Sequence, residues 1–243
     1  MSKHLKEIVG ICGGLLLAVA AFFVFRFPWE DLLVRGASVL EDRSGIRCSW
    51  ESARKTFLGF ELRAVTLSGP SGRLVQFERV TVRPGWGAIH VELRDEGKHK
   101  GSVVLTANRI KVSLIEIPLP EETWPKAKGG QVSCEVEYQF GEESGKGNFQ
   151  AYLPATLFPN LRDTMHVTGN LDIRGRTLEM TGDFESSQAR GKGTLRAESP
   201  ARGAALESTV LKGRLDGISG PFPFQMGIQG TLGSPEVKFS GGS

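Results

Sequence analysis

The sequence predicts a mainly β protein, in which an N-terminal transmembrane helix and a short amphipathic helix precede a long curved antiparallel sheet or a β-sandwich. Three observations predict this class. Residues 8–27 are almost entirely apolar, residues 28–43 repeat apolar positions at helical spacing, and from Ile46 onward apolar and polar residues alternate. Frequent glycine, 31 residues of 243, favours many short strands joined by turns.

The same observations divide the chain into three parts. Residues 1–27 are expected to form a short head and membrane anchor, residues 28–45 an amphipathic helix, and residues 46–243 a β domain. A stretch rich in Pro, Glu and Lys over 115–130 predicts a long connection between two halves of that domain.

The apolar segment 8–27 has the length of a membrane span, since about 20 helical residues cross a bilayer core. Lys3 and Lys6 precede it, so the N-terminus is expected in the cytoplasm and the bulk beyond an inner membrane. Ala18-Val19-Ala20 resembles a signal-peptide cleavage site, but the apolar run continues past it, which favours an uncleaved anchor. The predicted anchor residues are Ile8, Leu15, Leu16, Leu17, Phe22, Phe23, Phe25, Phe27 and, at the interface, Trp29.

The helix that follows has one apolar stripe, with Leu33 and Ala37 at helical spacing and charged residues on the other positions. We favour a helix that covers one end of the sheet, because its acidic residues disfavour an anionic membrane surface. A partner helix or a membrane-surface helix is the alternative.

Alternation is clearest over residues 131–140 and 222–232. The phase flips between Phe77 and Val80, and again between Ala107 and Ile110, which indicates a bulge or a change of buried face. A sheet with one apolar face needs a cover, so either two halves face each other or part of the face stays open as a groove. The predicted groove residues are Val132, Val136, Tyr138, Phe222, Phe224, Met226 and Ile228. The word Gly-x-Leu recurs at 169–171, 193–195, 213–215 and 230–232, at unequal intervals, which indicates a repeated hairpin and not a strict solenoid period.

Charge argues against a nucleic-acid partner. The net charge is +3, much of it belongs to the anchor, and no long basic run occurs. Cys48 and Cys134 fall in strand-like stretches and would pair only in an oxidising compartment, so two half-buried thiols are the favoured interpretation.

Catalytic and metal-binding patterns are weak. His90 and His99 flank Glu92, but their spacing matches no zinc pattern, and a charged hairpin is the simpler interpretation. Residues 141–147 resemble a phosphate-binding loop, yet the loop is one residue short and precedes a strand. We therefore expect no enzyme activity, no cofactor and no metal.

Several short words occur in a suggestive order: Phe27-Pro28-Trp29-Glu30 after the anchor, strand-like stretches over 59–67 and 74–83, and a closing Gly230-Thr231-Leu232-Gly233-Ser234-Pro235. This order resembles the GspN family of type II secretion systems and the wider AsmA-like and LptC-like envelope proteins. The GspN resemblance implies a non-enzymatic, inner-membrane-anchored periplasmic component of a secretion system, with other envelope proteins as partners. The AsmA-like and LptC-like resemblance implies, as the alternative, a module that binds or transports lipid.

Overall fold

The computed structural model describes residues 29–56, 59–69, 72–122, 125–157, 163–201, 208–219, 222–232 and 234–241. The predicted anchor over 8–27 lies outside these residues. Within them, no helix combines the length and the hydropathy of a membrane span. The first described element is a helix, α1 (Trp29–Ser44), which ends at Gly45 with a left-handed φ of 70°.

The rest of the described chain is almost entirely β-strand. The strands are β1 (Arg47–Ser49), β2 (Ser52–Thr56), β3 (Gly59–Gly69), β4 (Gly72–Gly85), β5 (Ala88–Asp95), β6 (Lys98–Thr106), β7 (Arg109–Pro118), β8 (Gln131–Gln139), β9 (Ser144–Leu153), β10 (Met165–Arg174), β11 (Thr177–Glu185), β12 (Ala189–Glu198), β13 (Val210–Ser219), β14 (Phe222–Thr231) and β15 (Ser234–Gly241). Two short 3-10 turns lie at Pro125–Ala127 and Ala155–Leu157.

All the strands belong to one antiparallel sheet, which is open and curved. From β3 to β15 each strand pairs with its neighbours in the chain, while β1 and β2 both pair with the outer edge of β3. Of the two forms that the alternation left open, the structure has the long curved sheet.

The connection predicted over 115–130 is shorter than expected. Strand β7 extends to Pro118, and β8 begins at Gln131 and pairs directly with β7. A bulge makes the extra length of β7 possible: Glu116 has a φ of 49°, and its backbone N–H donates to Ser133 Oγ at 2.9 Å. The sheet therefore runs from one half to the other without a break.

The two phase flips have different causes. Near Phe77 and Val80, the β3–β4 ladder skips Ala64, whose φ is 49°, so both Val65 and Leu62 reach the same face. The second flip is simply the turn between β6 and β7, since Leu105 and Ile110 are cross-strand partners.

A connected cluster of buried side chains lies in β3, β4 and β5. Its members are Phe60, Leu62, Val65, Phe77, Val80 and Leu93. Leu33 of α1 packs against this cluster, which is the placement expected of a helix that covers one end of the sheet.

Candidate functional site

Cross-strand register collects the apolar side chains on one face of the sheet. Two adjacent rows of the ladder carry no polar side chain across twelve consecutive strands, β3–β14. In strand order, one row is Leu62, Val80, Leu93, Gly101, Leu114, Cys134, Phe149, Gly169, Gly182, Gly193, Leu215 and Met226, and the other is Phe60, Val82, Val91, Val103, Val112, Val136, Gly147, Leu171, Met180, Leu195, Gly213 and Ile228.

Two flanking rows extend this surface on either side. On one side they are Pro84, Ile89, Leu105, Ile110, Tyr138, Gly145, Ile173, Leu178, Ala197, Leu211 and Gly230, and on the other Ile117, Val132, Ala151, Val167, Phe184, Gly191, Gly217 and Phe224. The phenol of Tyr138 is the polar group in these flanking rows. We call the four rows together the apolar band.

Most of the predicted groove residues lie in the apolar band itself, and Phe222 continues its line along β14. They fall at two places, β8 and β14, which the ladder separates by five strands. The groove prediction left out the intervening strands because glycine interrupts their hydrophobic alternation. The usable signal was Gly-x-Leu: at 169–171, 193–195 and 213–215 it places one glycine and one leucine on the band.

Side chains of the band are mainly half-buried, whereas those on the opposite face are mainly exposed. Strand β12 shows this alternation along its whole length, from buried Ala189 to exposed Glu198. Half-burial of large aliphatic side chains such as Leu195 and Leu215 is expected on the inner side of a single curved sheet. The apolar face is therefore only partly accessible to solvent, but it is not fully buried.

Glycines on the band mark the places where neighbouring strands lie closest together. A Cβ atom built on Gly147, Gly169 or Gly191 would overlap a carbonyl oxygen of the neighbouring strand. Neighbouring strands thus approach on the band face more closely than any side chain at these positions would allow. Glycine is required there by close approach, not by backbone dihedral angles.

Aromatic rings lie over several of these glycines. A Cβ on Gly217 would sit 2.7 Å from the ring of Phe184 and 2.8 Å from that of Phe224, and one on Gly169 would sit 2.7 Å from Phe149. The rings of Phe184 and Phe224 are themselves 6.0 Å apart. Rings that occupy the space above glycine add hydrocarbon surface without hydrogen-bonding groups.

The opposite face is charged and carries cross-strand ion pairs. Lys111 Nζ lies 2.6 Å from Glu135, and Arg109 lies 3.0 Å from Glu137. A hydrogen bond from Arg174 holds the pKa of Asp172 below its ordinary range. These exposed pairs add little stability, but they keep this face in water.

A shallow depression of about 510 Å³ also lies on the charged face, between β7, β8 and β9. Its lining includes Lys111, Glu135 and Lys146. Lys111 pairs with Glu135, and the lining residues include no buried polar side chain, so we assign the depression no ligand.

Both described cysteines are free, as the interpretation of two half-buried thiols predicted. Cys134 lies in the band between Leu114 and Phe149, and Cys48 pairs in register with Leu67. Burial raises the pKa of each thiol, so both are neutral near pH 7.

In the part of the chain that the structure describes, no three His, Cys, Asp or Glu side chains are grouped as metal ligands would be. Glu92 lies 2.7 Å from Arg94 and 3.6 Å from His99, so its carboxylate serves a surface charge network. The hydrogen bond from Arg94 lowers the pKa of Glu92. Residues 140–143 form the turn between β8 and β9, and Gly145 and Gly147 belong to β9.

No family model, no curated protein and no solved structure matches this chain. The resemblance to GspN and to AsmA-like proteins accordingly rests on the short words quoted above.

Proposed function

We propose that the protein binds the acyl chains of membrane lipids along the apolar band, without catalysing a reaction. The observation that carries this proposal is the pair of rows free of polar side chains across β3–β14. A protein partner would be expected to find about one hydrogen bond per 100–200 Å² of interface. This surface offers almost none, and hydrocarbon is the occupant that needs none.

The dimensions support a hydrocarbon ligand. Twelve strands at the usual spacing make the band about 50 Å long, and four alternating rows make it about 20 Å wide. The face so outlined measures on the order of 1,000 Å², and over β3–β5 its side chains belong to the buried cluster. Burial of one methylene contributes about 0.8 kcal/mol, so a long acyl chain would bind without any polar contact.

The predicted anchor also supports this function, because it would hold the band beside the membrane that supplies the lipid. The proposal corresponds to the AsmA-like and LptC-like alternative of the sequence analysis. It assigns no role to the histidines. It also explains why the apolar face is continuous although no second sheet packs against it.

The experiment compares two adjacent positions on opposite faces. Leu195 is in the band and half-buried, while Thr194 is exposed on the charged face. The full chain would be purified in mild detergent as wild type, L195E and T194E, and its bound lipid quantified by mass spectrometry. We expect lipid in wild type and T194E, and about tenfold less in L195E, since a buried carboxylate is strongly disfavoured. Equal lipid in both variants, or none in the wild type, would rule the function out.

A second candidate is the GspN-like role in type II secretion. Trp86 favours it: this indole stands fully exposed at the turn between β4 and β5, and tryptophan is enriched at energetically dominant interface positions. A photo-crosslinker placed at Trp86 in cells should capture secretion components if this role holds. Recovery of no envelope protein from a secreting strain would count against it.

A further inference from the structure

The described residues at the end of β13 and the start of β14, which we call the hairpin tip, include three exposed apolar side chains. Phe222 is 63% exposed and Ile218 is 49% exposed, and Pro223, the cross-strand partner of Ile218, is exposed as well. Phe222 continues the line of the apolar band, whereas Ile218 and Pro223 lie on the otherwise charged face. Both faces of the sheet are therefore apolar at this tip.

The tip is continuous with the interior of the band along a single strand. Exposure falls from 63% at Phe222 through half-buried Phe224 to 2% at Met226. The ring of Phe224 then meets that of Phe184, 6.0 Å away. These side chains form an unbroken apolar path from the rim of the sheet to its sheltered face.

The charges beside the tip are balanced. Arg190 is the cross-strand neighbour of Ile218 on β12 and is exposed, and its partner on the other side, Glu185 of β11, is exposed as well. An arginine placed beside exposed apolar side chains can contact phosphate while those side chains enter the hydrocarbon. A protein groove would demand hydrogen-bonding partners that Ile218, Phe222 and Pro223 do not supply.

We propose that the β13–β14 hairpin tip inserts into the surface of a lipid bilayer and that acyl chains pass along Phe222 and Phe224 onto the apolar band. This inference rests on the proposed function and adds the place at which lipid is loaded. The bilayer is the partner, and the hairpin tip is the contact.

The test places an environment-sensitive fluorophore at the tip and at a matched distant position. Cys12, Cys48 and Cys134 are replaced by alanine in the full chain, and a single cysteine is introduced by S219C or by V210C. Val210 is a suitable control because it lies at the opposite end of β13 and is 40% exposed. Both proteins are reconstituted with vesicles of equal parts phosphatidylcholine and phosphatidylglycerol that contain nitroxide lipid.

The S219C probe should be quenched by nitroxide lipid and protected from aqueous iodide, while the V210C probe should show the reverse. Equal iodide quenching at both positions would overturn the inference. In the chain with native cysteines, F222S and I218S should each slow uptake of fluorescent phosphatidylglycerol about tenfold, because each removes the burial of one large apolar side chain. V210S should leave uptake unchanged.

Failure of this inference can be told apart from failure of the proposed function. Lipid on the band together with a water-exposed tip would reject the loading site alone. An inserted tip with no lipid on the band would reject acyl-chain binding while leaving the membrane contact in place.

Discussion

The region from α1 to β7 and the region from β8 to β15 share one sheet and one apolar face, yet they fill that face differently. In the first region bulky side chains meet in a connected buried cluster, with Phe60 and Phe77 at 7% and 5% exposure. In the second region glycines alternate with large side chains, and rings such as Phe184 lie over the glycine backbone. The first arrangement makes a core, whereas the second makes a smooth surface.

This difference suggests separate roles: the first region stabilises the fold, and the second region binds lipid. The first region, with Leu33 packed against it, supplies the interior that a single open sheet otherwise lacks. In the second region the strands lie close together, and the apolar side chains lie next to glycine backbone. We therefore expect substitutions in the first region to affect folding most, and substitutions in the second to affect lipid binding most.

The largest expected effect contrasts two phenylalanines. F77A should lower the free energy of unfolding by about 4 kcal/mol, because it empties a site in the buried cluster. F224A should lower it by about 2 kcal/mol, because Phe224 is only half-buried. Chemical denaturation followed by circular dichroism measures both. Equal losses would mean that the second region is as densely packed as the first.

The next prediction tests how closely neighbouring strands approach each other in the second region. G191V should lower the free energy of unfolding by about 3 kcal/mol, since its Cβ would overlap the backbone of Asp216 and the ring of Phe184. G227V is the matched control: its Cβ would have no closer neighbour than a carbonyl oxygen at 4.0 Å, so it should change stability by less than about 1 kcal/mol. Thermal denaturation of both variants decides whether the strands are as close as described.

A smaller effect concerns the two thiols. Burial raises the pKa of Cys134, so its alkylation should begin at higher pH than that of an unfolded cysteine. Acyl chains on the band should slow alkylation of Cys134 about tenfold further. Cys48, on β1 at the end next to α1, should change little with lipid. Equal protection of both thiols, measured by peptide mass spectrometry, would show that the effect of lipid is not confined to the apolar band.

The smallest effect is pH dependence. A hydrogen bond from Arg174 lowers the pKa of Asp172, and hydrogen bonds from Gln225 and Arg214 lower that of Asp216. A carboxylate whose folded pKa is depressed stabilises the fold above its unfolded pKa, about 3.9, and loses that contribution as the pH falls. Both groups are exposed, so the melting temperature should fall only slightly below about pH 4. D172N should lessen that fall, and an unchanged pH profile would show that the pair stabilises nothing.

Local pattern was enough to predict strands such as β8 and β14 and the apolar face of each. The alternation over 131–140 corresponds to β8, and that over 222–232 corresponds to β14. Both strand predictions rest on the alternation of apolar and polar side chains, which can be read without knowing which strands pair. The phase flip near Phe77 likewise located a real irregularity at Ala64.

Register was beyond the sequence analysis, because it depends on which residues face each other across strands. Gly169, Gly182 and Gly193 lie side by side in the ladder although each belongs to a different strand. In isolation each glycine weakens the signal of a strand, and only together do they mark a closely curved surface. The apolar band is continuous because of the register in which the strands pair, and the composition of the chain does not show it.

Site-specific photo-crosslinking in living cells tests acyl-chain binding most directly. A photoreactive amino acid would replace Leu195 on the band and, as control, Thr194 on the charged face. Mass spectrometry should find lipid adducts at position 195 and none at position 194. Protein adducts at position 195, or equal lipid labelling at both positions, would contradict the account.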